Sequence, residues 1–265
     1  MKANASDTAP LLVERRGAVL CLTLNRPEAL NSFTVPLMEG LHRALKDAAK
    51  DASVRVLTLT GAGRGFCVGQ DLKEHLERKP SFRDDLRERF NPLVLKIRAL
   101  EKPVVAVVNG VAAGAGMSLA LACDFRIASK AASFHTAFVK IGLAPDSANL
   151  FFLSRYAGAA RALELEMTGR PLSADEAFAW GVVNRVCAPE ALAAEAEAFV
   201  SGLASGPAKG LALTKRMYNE MLFAKDLAAQ LESEALLQEI AGRTADHAEG
   251  LKAFMEKRTP QFMGN

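Results

Sequence analysis

Residues 102–116 read Lys-Pro-Val-Val-Ala-Val-Val-Asn-Gly-Val-Ala-Ala-Gly-Ala-Gly, and this stretch decides the fold. The continuous apolar run at 103–109 predicts a β-strand that is buried on both faces. Runs of the same kind predict further strands, at 17–24, 54–60, 124–128 and 182–186. Helical patterns lie between these runs, and one of them follows Thr34. Such an alternation predicts an α/β protein with parallel βαβ units.

Two loops of small residues follow two of the predicted strands. Residues 61–69 follow the strand at 54–60, and residues 110–116 follow the strand at 103–109; a helical pattern comes after each loop. Glycine lets the backbone approach a ligand closely, and a helix N-terminus offers unpaired N–H groups and a positive dipole end. Two such ends aimed at one point would form an oxyanion hole. For either loop alone, a tight strand–helix turn is the simpler interpretation, and only the two loops together suggest an oxyanion hole.

The composition is that of a globular protein. Half of the 265 residues are hydrophobic and 24% are charged, which excludes disorder. The net charge of +3 has no concentrated basic face, so we expect no nucleic-acid partner. Strand patterns end near residue 188 and helical patterns follow. We therefore predict a flexible N-terminus (1–10), an α/β core (11–188) and a helical region (189–265).

The cysteines, the histidines and the hydropathy of the chain exclude further classes of protein. The four cysteines lie far apart without a C-x-x-C pair, and the four histidines show no ligand spacing, so we expect no metal site. No apolar run is long enough for a membrane span or a signal peptide. These patterns predict a cytoplasmic protein with reduced thiols and no membrane partner.

Several known catalytic motifs are excluded because this chain lacks the required residues at the required positions. Phe66 stands where G-x-G-x-x-G needs a glycine, and no P-loop is present. The segment around Ser118 approximates a G-x-S-x-G elbow, with Asp146 and His247 following in hydrolase order. An elbow serine directly follows its strand, whereas Ser118 comes nine positions after Asn109. We therefore predict that Ser118 lies inside a helix.

An ordered set of segments resembles the crotonase, or enoyl-CoA hydratase/isomerase, superfamily from about Leu11 to Phe262. The segments are 25–31, 65–72, 102–116, 123–124, 168–170, 177–183 and 249–258. The resemblance implies the crotonase (ClpP-like) fold, which is a spiral of ββα units followed by a C-terminal helical trimerisation region. It also implies a homo-oligomer, either a trimer or a dimer of trimers.

The resemblance implies an acyl-CoA thioester substrate and an enolate intermediate, with no cofactor except the coenzyme A of the substrate. The oxyanion donors carry over to the backbone N–H groups of Gln70 and Ala115. The superfamily positions that contact coenzyme A or the acyl group carry over to eleven residues. They are Arg26, Ala29, Leu30, Val68, Gly69, Asp71, Leu72, Gly114, Phe138, Phe254 and Lys257.

The general base separates members of the superfamily. Hydratases use two glutamates, and their places are taken here by Ser118 and Phe138. Asp146 stands where hydratases commonly have glycine, as in the phenylacetate-pathway isomerases, in which this aspartate shuttles a proton along the acyl chain. Apolar neighbours would raise its pKa; the candidates are Phe138, Leu143, Phe151 and Phe152. A helix N-cap is the structural alternative for Asp146.

These features favour a Δ3-to-Δ2 enoyl-CoA isomerase with Asp146 as the proton shuttle. The alternatives are an enoyl-CoA hydratase of fatty-acid or aromatic-acid degradation, a non-catalytic CoA-thioester-binding subunit and a 4-chlorobenzoyl-CoA dehalogenase. The dehalogenases share the aspartate position but have tryptophan where this chain has Phe138.

Overall fold

A computed structural model describes residues 9–222 and 227–264. Residues 1–8 of the predicted flexible N-terminus lie outside this range. The strands of the described chain are β1 (Leu11–Arg16), β2 (Val19–Leu24), β3 (Val56–Gly61), β4 (Gly65–Cys67), β5 (Val104–Val108), β6 (Val111–Ala113), β7 (Phe125–Ser129), β8 (Ser133–His135), β9 (Leu172–Ser173) and β10 (Arg185–Cys187).

The helices surround these strands and dominate the last third of the chain. They are α1 (Val35–Lys50), α2 (Leu72–Arg78), α3 (Phe82–Asp85), α4 (Asn91–Ala99), α5 (Ala115–Ala122), α6 (Asn149–Ala157), α7 (Ala159–Thr168), α8 (Ala174–Ala179), α9 (Leu192–Ala204), α10 (Ala208–Met221), α11 (Leu227–Gly242) and α12 (Ala245–Glu256). A π-helical turn, Leu86–Phe90, joins α3 to α4, and a 3-10 turn spans Phe138–Ile141. Over the described ranges, no helix is long and apolar enough to cross a membrane.

The strands form two sheets with a repeating connection. The larger sheet has the order β1-β2-β3-β5-β7-β10, and the smaller sheet has the order β4-β6-β8-β9. Each of the strands β3, β5 and β7 of the larger sheet is followed in the chain by a strand of the smaller sheet, namely β4, β6 and β8 respectively. Pairing is parallel except between β1 and β2 and between β8 and β9. The chain therefore winds as a spiral of two-strand units.

Strand β5 lies in the middle of the larger sheet and is buried throughout. Its residues Val104, Ala106 and Val108 pack into the main core, which includes α1, α4 and α5. Val105 and Val107 point to the other face, where α9 supplies a second apolar layer. Two covered faces explain why this strand is continuously apolar and not alternating.

Some predicted elements differ in detail. The strand predicted at 182–186 begins to pair only at Arg185, since Val182 and Val183 are buried in the core before the sheet begins. Strands β4 and β6 have three residues each and lie inside the two glycine-rich loops. Three residues are too short to produce a recognisable period, so the sequence pattern missed them.

An ion cluster ties the C-terminal helices to the core. The Asp124 carboxylate lies 2.8 Å from the Lys215 ammonium of α10 and 3.0 Å from the Arg98 guanidinium of α4. It also accepts the backbone N–H of Val104 at 2.8 Å. Since each charge is largely buried, loss of one partner would leave another uncompensated.

Gly116 allows α5 to dock against β4. A methyl group here would overlap the carbonyl group of Cys67, whereas one on Gly202 of α9 would meet nothing within 4 Å. We expect Gly116→Ala to lower the free energy of unfolding by about 2 kcal/mol or more through overpacking against the backbone. Gly202→Ala should change it by less than about 1 kcal/mol, and in the stabilising direction. Urea denaturation of both variants checks the difference, and equal stability would contradict the close packing.

Candidate active site

The two glycine-rich turns meet backbone to backbone. Gly69 and Gly114 both have positive φ angles, of 88° and 50°. A Cβ atom placed on Gly69 would lie 3.0 Å from the Ala113 carbonyl oxygen and 3.2 Å from the Ala115 nitrogen. Only a residue without a side chain fits this approach, which brings Gln70 and Ala115 beside each other.

Both candidate oxyanion donors stand at positions where a backbone N–H lacks a partner. Ala115 is the first residue of α5, and the N–H groups of a first helical turn have no intrahelical acceptor. Gln70 pairs with Phe33 in a parallel β-bridge whose hydrogen bonds are made by the residues on either side of Gln70. The Phe33 N–H donates to Gly69 O, and the Asp71 N–H donates to Phe33 O. Among the described residues, the N–H groups of Gln70 and Ala115 have no hydrogen-bond acceptor.

These two residues line a cavity of about 440 Å³. Eight of its lining residues were predicted site residues: Val68, Gly69, Gln70, Leu72, Gly114, Ala115, Phe138 and Asp146. The others are Phe82, Asp85, Leu86, Phe90, Ala137, Lys140, Ile141 and Leu143. The walls are mainly apolar, so a charged group that faces the cavity is poorly solvated.

Asp146 reaches this cavity from the loop before α6. The Ser147 hydroxyl donates to its carboxylate at 2.8 Å. Burial raises the pKa of Asp146, which is the direction that the sequence predicts, and the Ser147 hydrogen bond opposes the rise. The N-cap alternative is wrong, because α6 begins at Asn149 and its N-cap is Ala148. Only the backbone carbonyl of Asp146, not its carboxylate, accepts the Asn149 N–H.

Two of the four apolar residues expected around Asp146 line the same cavity, namely Phe138 and Leu143. The other two belong elsewhere. Phe152 is buried beneath the Arg98 guanidinium at 5.7 Å, and the Arg155 guanidinium covers the Phe151 ring at 3.4 Å. Neither ring lines the cavity, and the two residues that precede α6, Ser147 and Ala148, both have positive φ.

Ser118 connects the Gly114 turn to the Asp146 loop. As predicted, it lies within a helix, α5, and it is fully buried. Its hydroxyl oxygen lies 3.2 Å from Gly114 O and 3.3 Å from Asp146 O, and it accepts the Asn149 side-chain amide at 3.0 Å. In a hydrolase this serine would be hydrogen-bonded to a histidine. Here its partners are two backbone carbonyl groups and a side-chain amide. Ser118 and Asn149 therefore hold the two halves of the site together, a role that the sequence did not reveal for Asn149.

The wall of the cavity formed by residues 82–90 is attached to the Gly69 turn through the side chain of Gln70. Its amide donates to the Asp85 carboxylate at 2.8 Å and lies 3.0 Å from His75 Nδ1. Asp85 is buried and also pairs with Arg89. The sequence signal for this wall was present but overlooked: Phe82, Leu86 and Phe90 recur every four residues within a charged stretch, which indicates one apolar face.

The sequence profile of the enoyl-CoA hydratase/isomerase family matches residues 14–265. The chain belongs to this family. It is 46% identical over 250 residues to the 1,2-epoxyphenylacetyl-CoA isomerase of Escherichia coli, covering 93% of this chain and 95% of that protein. The name of this relative agrees with the resemblance to the phenylacetate-pathway branch.

Other relatives extend the comparison to different names. The trans-2-decenoyl-[acyl-carrier-protein] isomerase of Streptococcus mutans is 37% identical, covering 97% of this chain and 99% of that protein. The crystal structure of an enoyl-CoA hydratase from Bacillus anthracis superposes with a TM-score of 0.91 and 34% identity, covering 97% of this chain and all of the other. These likenesses confirm the crotonase fold with its C-terminal helices, and the chain is an enzyme of this superfamily.

Not every position carried over from the superfamily lies at the cavity. Arg26 donates to the Asp71 carboxylate at 2.8 Å and to the Ser32 carbonyl oxygen at 2.7 Å, so both predicted contact residues are joined in an ion pair. This pair holds the first turn of the site, which includes Ala29 and Leu30, against the start of α2. Phe254 and Lys257, at the end of α12, do not line the cavity, and the Phe254 side chain is 80% exposed.

A second buried carboxyl group, which the sequence analysis did not single out, belongs to Glu166 and is affected by the charge of Asp146. Glu166 of α7 is only 6% exposed, and both carboxyl oxygens lack a hydrogen-bond partner among the described residues. Burial, and secondly the charge of Asp146, raises the pKa of Glu166 to about 7. Within the described ranges, no group of three or more His, Cys, Asp or Glu residues is arranged to hold a metal ion.

The raised pKa of Glu166 makes stability depend on pH. The folded protein keeps this proton up to a pH of about 7, whereas the unfolded chain releases it near the usual pKa of 4.5. The wild type should therefore lose stability as the pH rises from about 4.5 to above 7. We expect Glu166→Gln to raise the melting temperature by a few degrees at pH 8 and to change it little at pH 4.5.

The exposed Glu164, which is on the same helix, provides the matched control. Glu164→Gln should not produce this pH-dependent gain in thermal denaturation experiments. A gain from Glu166→Gln that is the same at both pH values would contradict the buried, protonated state.

Proposed function

We propose that this enzyme moves a double bond from Δ3 to Δ2 in an enoyl-CoA thioester, with Asp146 as the proton shuttle. One observation carries the proposal: Asp146 lines the same cavity as Gln70 and Ala115, whose N–H groups have no acceptor among the described residues. The other carboxylate of the cavity, Asp85, is held by Gln70 and Arg89. Asp146 is thus the better placed base.

The proposed reaction needs only a proton transfer. The thioester carbonyl oxygen accepts the N–H groups of Gln70 and Ala115, which stabilises the charge of the dienolate. Asp146 removes a proton from C2, the C2–H electron pair forms the C1=C2 bond, and the carbonyl electrons move to the oxygen, which gives a dienolate conjugated with C3=C4. Asp146 then returns the proton to C4. The C3=C4 electrons form the new C4–H bond, the C1=C2 electrons become the C2=C3 bond, and the thioester carbonyl is restored. Since no electrons or atoms are gained or lost, the reaction requires no cofactor beyond the coenzyme A of the substrate.

Hydration is the less favoured reaction at this site. The two glutamates that the superfamily resemblance assigns to water activation are replaced by Ser118 and Phe138. The Ser118 hydroxyl is engaged with backbone groups and Asn149, and the Phe138 ring lines the cavity. A single carboxylate suits a proton shuttle, in which one group acts first as base and then as acid.

The apolar wall supports an acyl group with a hydrophobic chain or ring. Phe82, Phe90 and Phe138 all line the cavity, together with Leu86 and Leu143. Aromatic faces of this kind pack well against flat apolar groups. A ring-bearing acyl thioester is therefore included in the proposed substrate class.

The proposed assembly is a homo-oligomer, a trimer or a dimer of trimers, with the C-terminal helices at the subunit contacts. These helices expose several large apolar side chains: Leu231, Leu236, Leu251, Phe254 and Met255. Contiguous apolar surface on a folded chain is typical of protein interfaces.

Asp146→Asn tests the proposed role of this carboxylate. With 3-hexenoyl-CoA, the wild type should form 2-enoyl-CoA, and the variant should lose about 10²–10⁴-fold in kcat because an amide cannot accept the proton. Asp47→Asn, which changes an exposed carboxylate on α1, is the matched control and should retain wild-type turnover. Chromatography separates 2-enoyl-CoA from 3-hydroxyacyl-CoA.

Each alternative predicts a different product pattern. Accumulation of 3-hydroxyacyl-CoA from 2-enoyl-CoA, at a rate above that of isomerisation, would favour the hydratase. Binding of the thioester without turnover, unchanged in Asp146→Asn, would favour a non-catalytic binding subunit. Equal turnover by the wild type and Asp146→Asn would remove Asp146 from the mechanism.

A further inference from the structure

The side chain of Gln70 makes two hydrogen bonds that the proposed mechanism does not use, since the mechanism needs only its backbone N–H. The side-chain nitrogen Nε2 lies 2.8 Å from Asp85 Oδ2 and 3.0 Å from His75 Nδ1. An amide nitrogen donates two hydrogens and accepts none, so both neighbouring atoms act as acceptors. The amide group of Gln70 is therefore held from two sides.

Both acceptors are themselves fixed in the wall of the cavity. The His75 ring, on α2, stacks on the Phe82 ring with the centroids 4.6 Å apart. Asp85, at the end of α3, is buried, and its second oxygen, Oδ1, pairs with the guanidinium of Arg89. Since each oxygen of Asp85 has a partner, the carboxylate has a defined orientation, and a charged acceptor gives a strong hydrogen bond.

The same wall also contacts Phe33, the bridge partner of Gln70. The Phe33 and Phe90 rings meet edge to face, with their centroids 5.9 Å apart, and both side chains are buried. Segment 82–90 therefore contacts both residues of the bridge, one through a ring and the other through a hydrogen bond. The wall and the Gly69 turn are joined as one unit.

The Gln70 N–H belongs to the peptide group between Gly69 and Gln70, and this group is held at both ends. Its carbonyl oxygen, Gly69 O, accepts the Phe33 N–H at 2.7 Å. At its other end is the Gln70 Cα atom, whose side chain is bound to Asp85 and His75. Because a trans peptide group is planar, fixing both ends also fixes the direction of the N–H, opposite to the carbonyl group.

This anchoring matters because glycine precedes the donor. Gly69 has a φ angle of 88° and, without a Cβ atom, restricts its own rotation less than any other residue. A donor stabilises an oxyanion strongly only when it is oriented before the charge develops. The hydrogen bonds of the Gln70 side chain supply the restraint that Gly69 does not.

We propose that the side chain of Gln70, held by Asp85 and His75, is a positioning group that fixes the direction of the Gln70 backbone N–H in the oxyanion hole. The consequence for catalysis rests on the function proposed above. In this role the side chain moves no proton and acts on the thioester only through the backbone N–H of the same residue.

Gln70→Met tests the role, because it keeps the backbone N–H and the length of the side chain but removes both side-chain hydrogen bonds. With 3-hexenoyl-CoA, kcat should fall about tenfold, less than the about 10²–10³-fold cost of losing a whole oxyanion donor. KM should change less than about threefold, because the orientation of the donor matters most in the transition state. Asp84→Asn, which changes the exposed neighbour of Asp85, is the matched control and should retain wild-type values. An unchanged kcat in Gln70→Met, or a change in KM alone, would overturn the proposal.

A double-mutant cycle separates positioning from a general structural role of Asp85. If Asp85 acts through Gln70, the kcat of Gln70→Met/Asp85→Asn should lie within about twofold of the slower single variant, because the hydrogen bond is already lost. Losses that multiply would mean that Asp85 acts independently, and would contradict the proposal. His75→Phe, which keeps a ring over Phe82, completes the same cycle if Asp85→Asn does not fold.

A spectroscopic measurement needs no turnover. Hexanoyl-CoA has no double bond to move, and a carbon-13 label at its thioester carbonyl allows isotope-edited infrared spectroscopy of the bound carbonyl group. Hydrogen bonds to this oxygen lower its stretching frequency, so the wild type and Asp84→Asn should show the same fall on binding. Gln70→Met should bind the thioester and lose a large part of this fall. An identical frequency in Gln70→Met, or failure of this variant to bind hexanoyl-CoA, would count against the positioning role.

The two kinds of readout separate this proposal from the proposed function. A carbonyl frequency that depends on the Gln70 side chain, in an enzyme that does not isomerise 3-enoyl-CoA, would support the positioning role and reject the proposed function. Isomerisation with the same kcat and carbonyl frequency in the wild type and Gln70→Met would keep the function and reject the positioning role.

Discussion

The close approach of two backbone turns, at Gly69 and at 113–115, is the constraint on which the site depends. It places side by side two residues whose N–H groups have no acceptor in the described part of the chain, and a Cβ atom on Gly69 would lie only 3.0 Å from the Ala113 carbonyl oxygen. Strands β4 and β6 pair just before these turns, so the smaller sheet sets their separation. The spiral of two-strand units thus brings the turns of two consecutive strand–turn–helix segments together at one site.

Desolvation connects this architecture to the acid–base chemistry of the site. The apolar walls that suit an acyl chain also raise the pKa of Asp146 and make it a better proton acceptor. The same burial, together with the Asp146 charge, keeps a proton on Glu166 near neutral pH. Both effects cost stability, because a carboxylate is better solvated by water than by phenylalanine rings.

The long elements and the backbone donors could be predicted because each depends on a local pattern. Strand β5 was visible as an apolar run, whereas Asp146 was singled out by the resemblance to the phenylacetate-pathway isomerases. The wall at Phe82–Phe90 was hidden by surrounding charges, and the three-residue strands were too short to show a period. Phe151 and Phe152 were expected beside Asp146 but do not line the cavity, and Ser147 and Ala148, just before α6, both have positive φ. Left-handed conformations at non-glycine residues leave little trace in a sequence.

The sequence by itself determined the fold class, the family and the residues of the two glycine turns, because these are encoded in contiguous runs of residue types. Only the tertiary structure decided which side chains share the cavity. It paired Arg26 with Asp71, attached Gln70 to Asp85, and joined Ser118 and Asn149 behind the Asp146 loop. It also placed Glu166 within the field of Asp146, twenty positions earlier in the chain. The physical reason is that hydrophobic periodicity is a property of residues close together in the chain. Burial and electrostatic coupling depend instead on distances between residues in the folded structure.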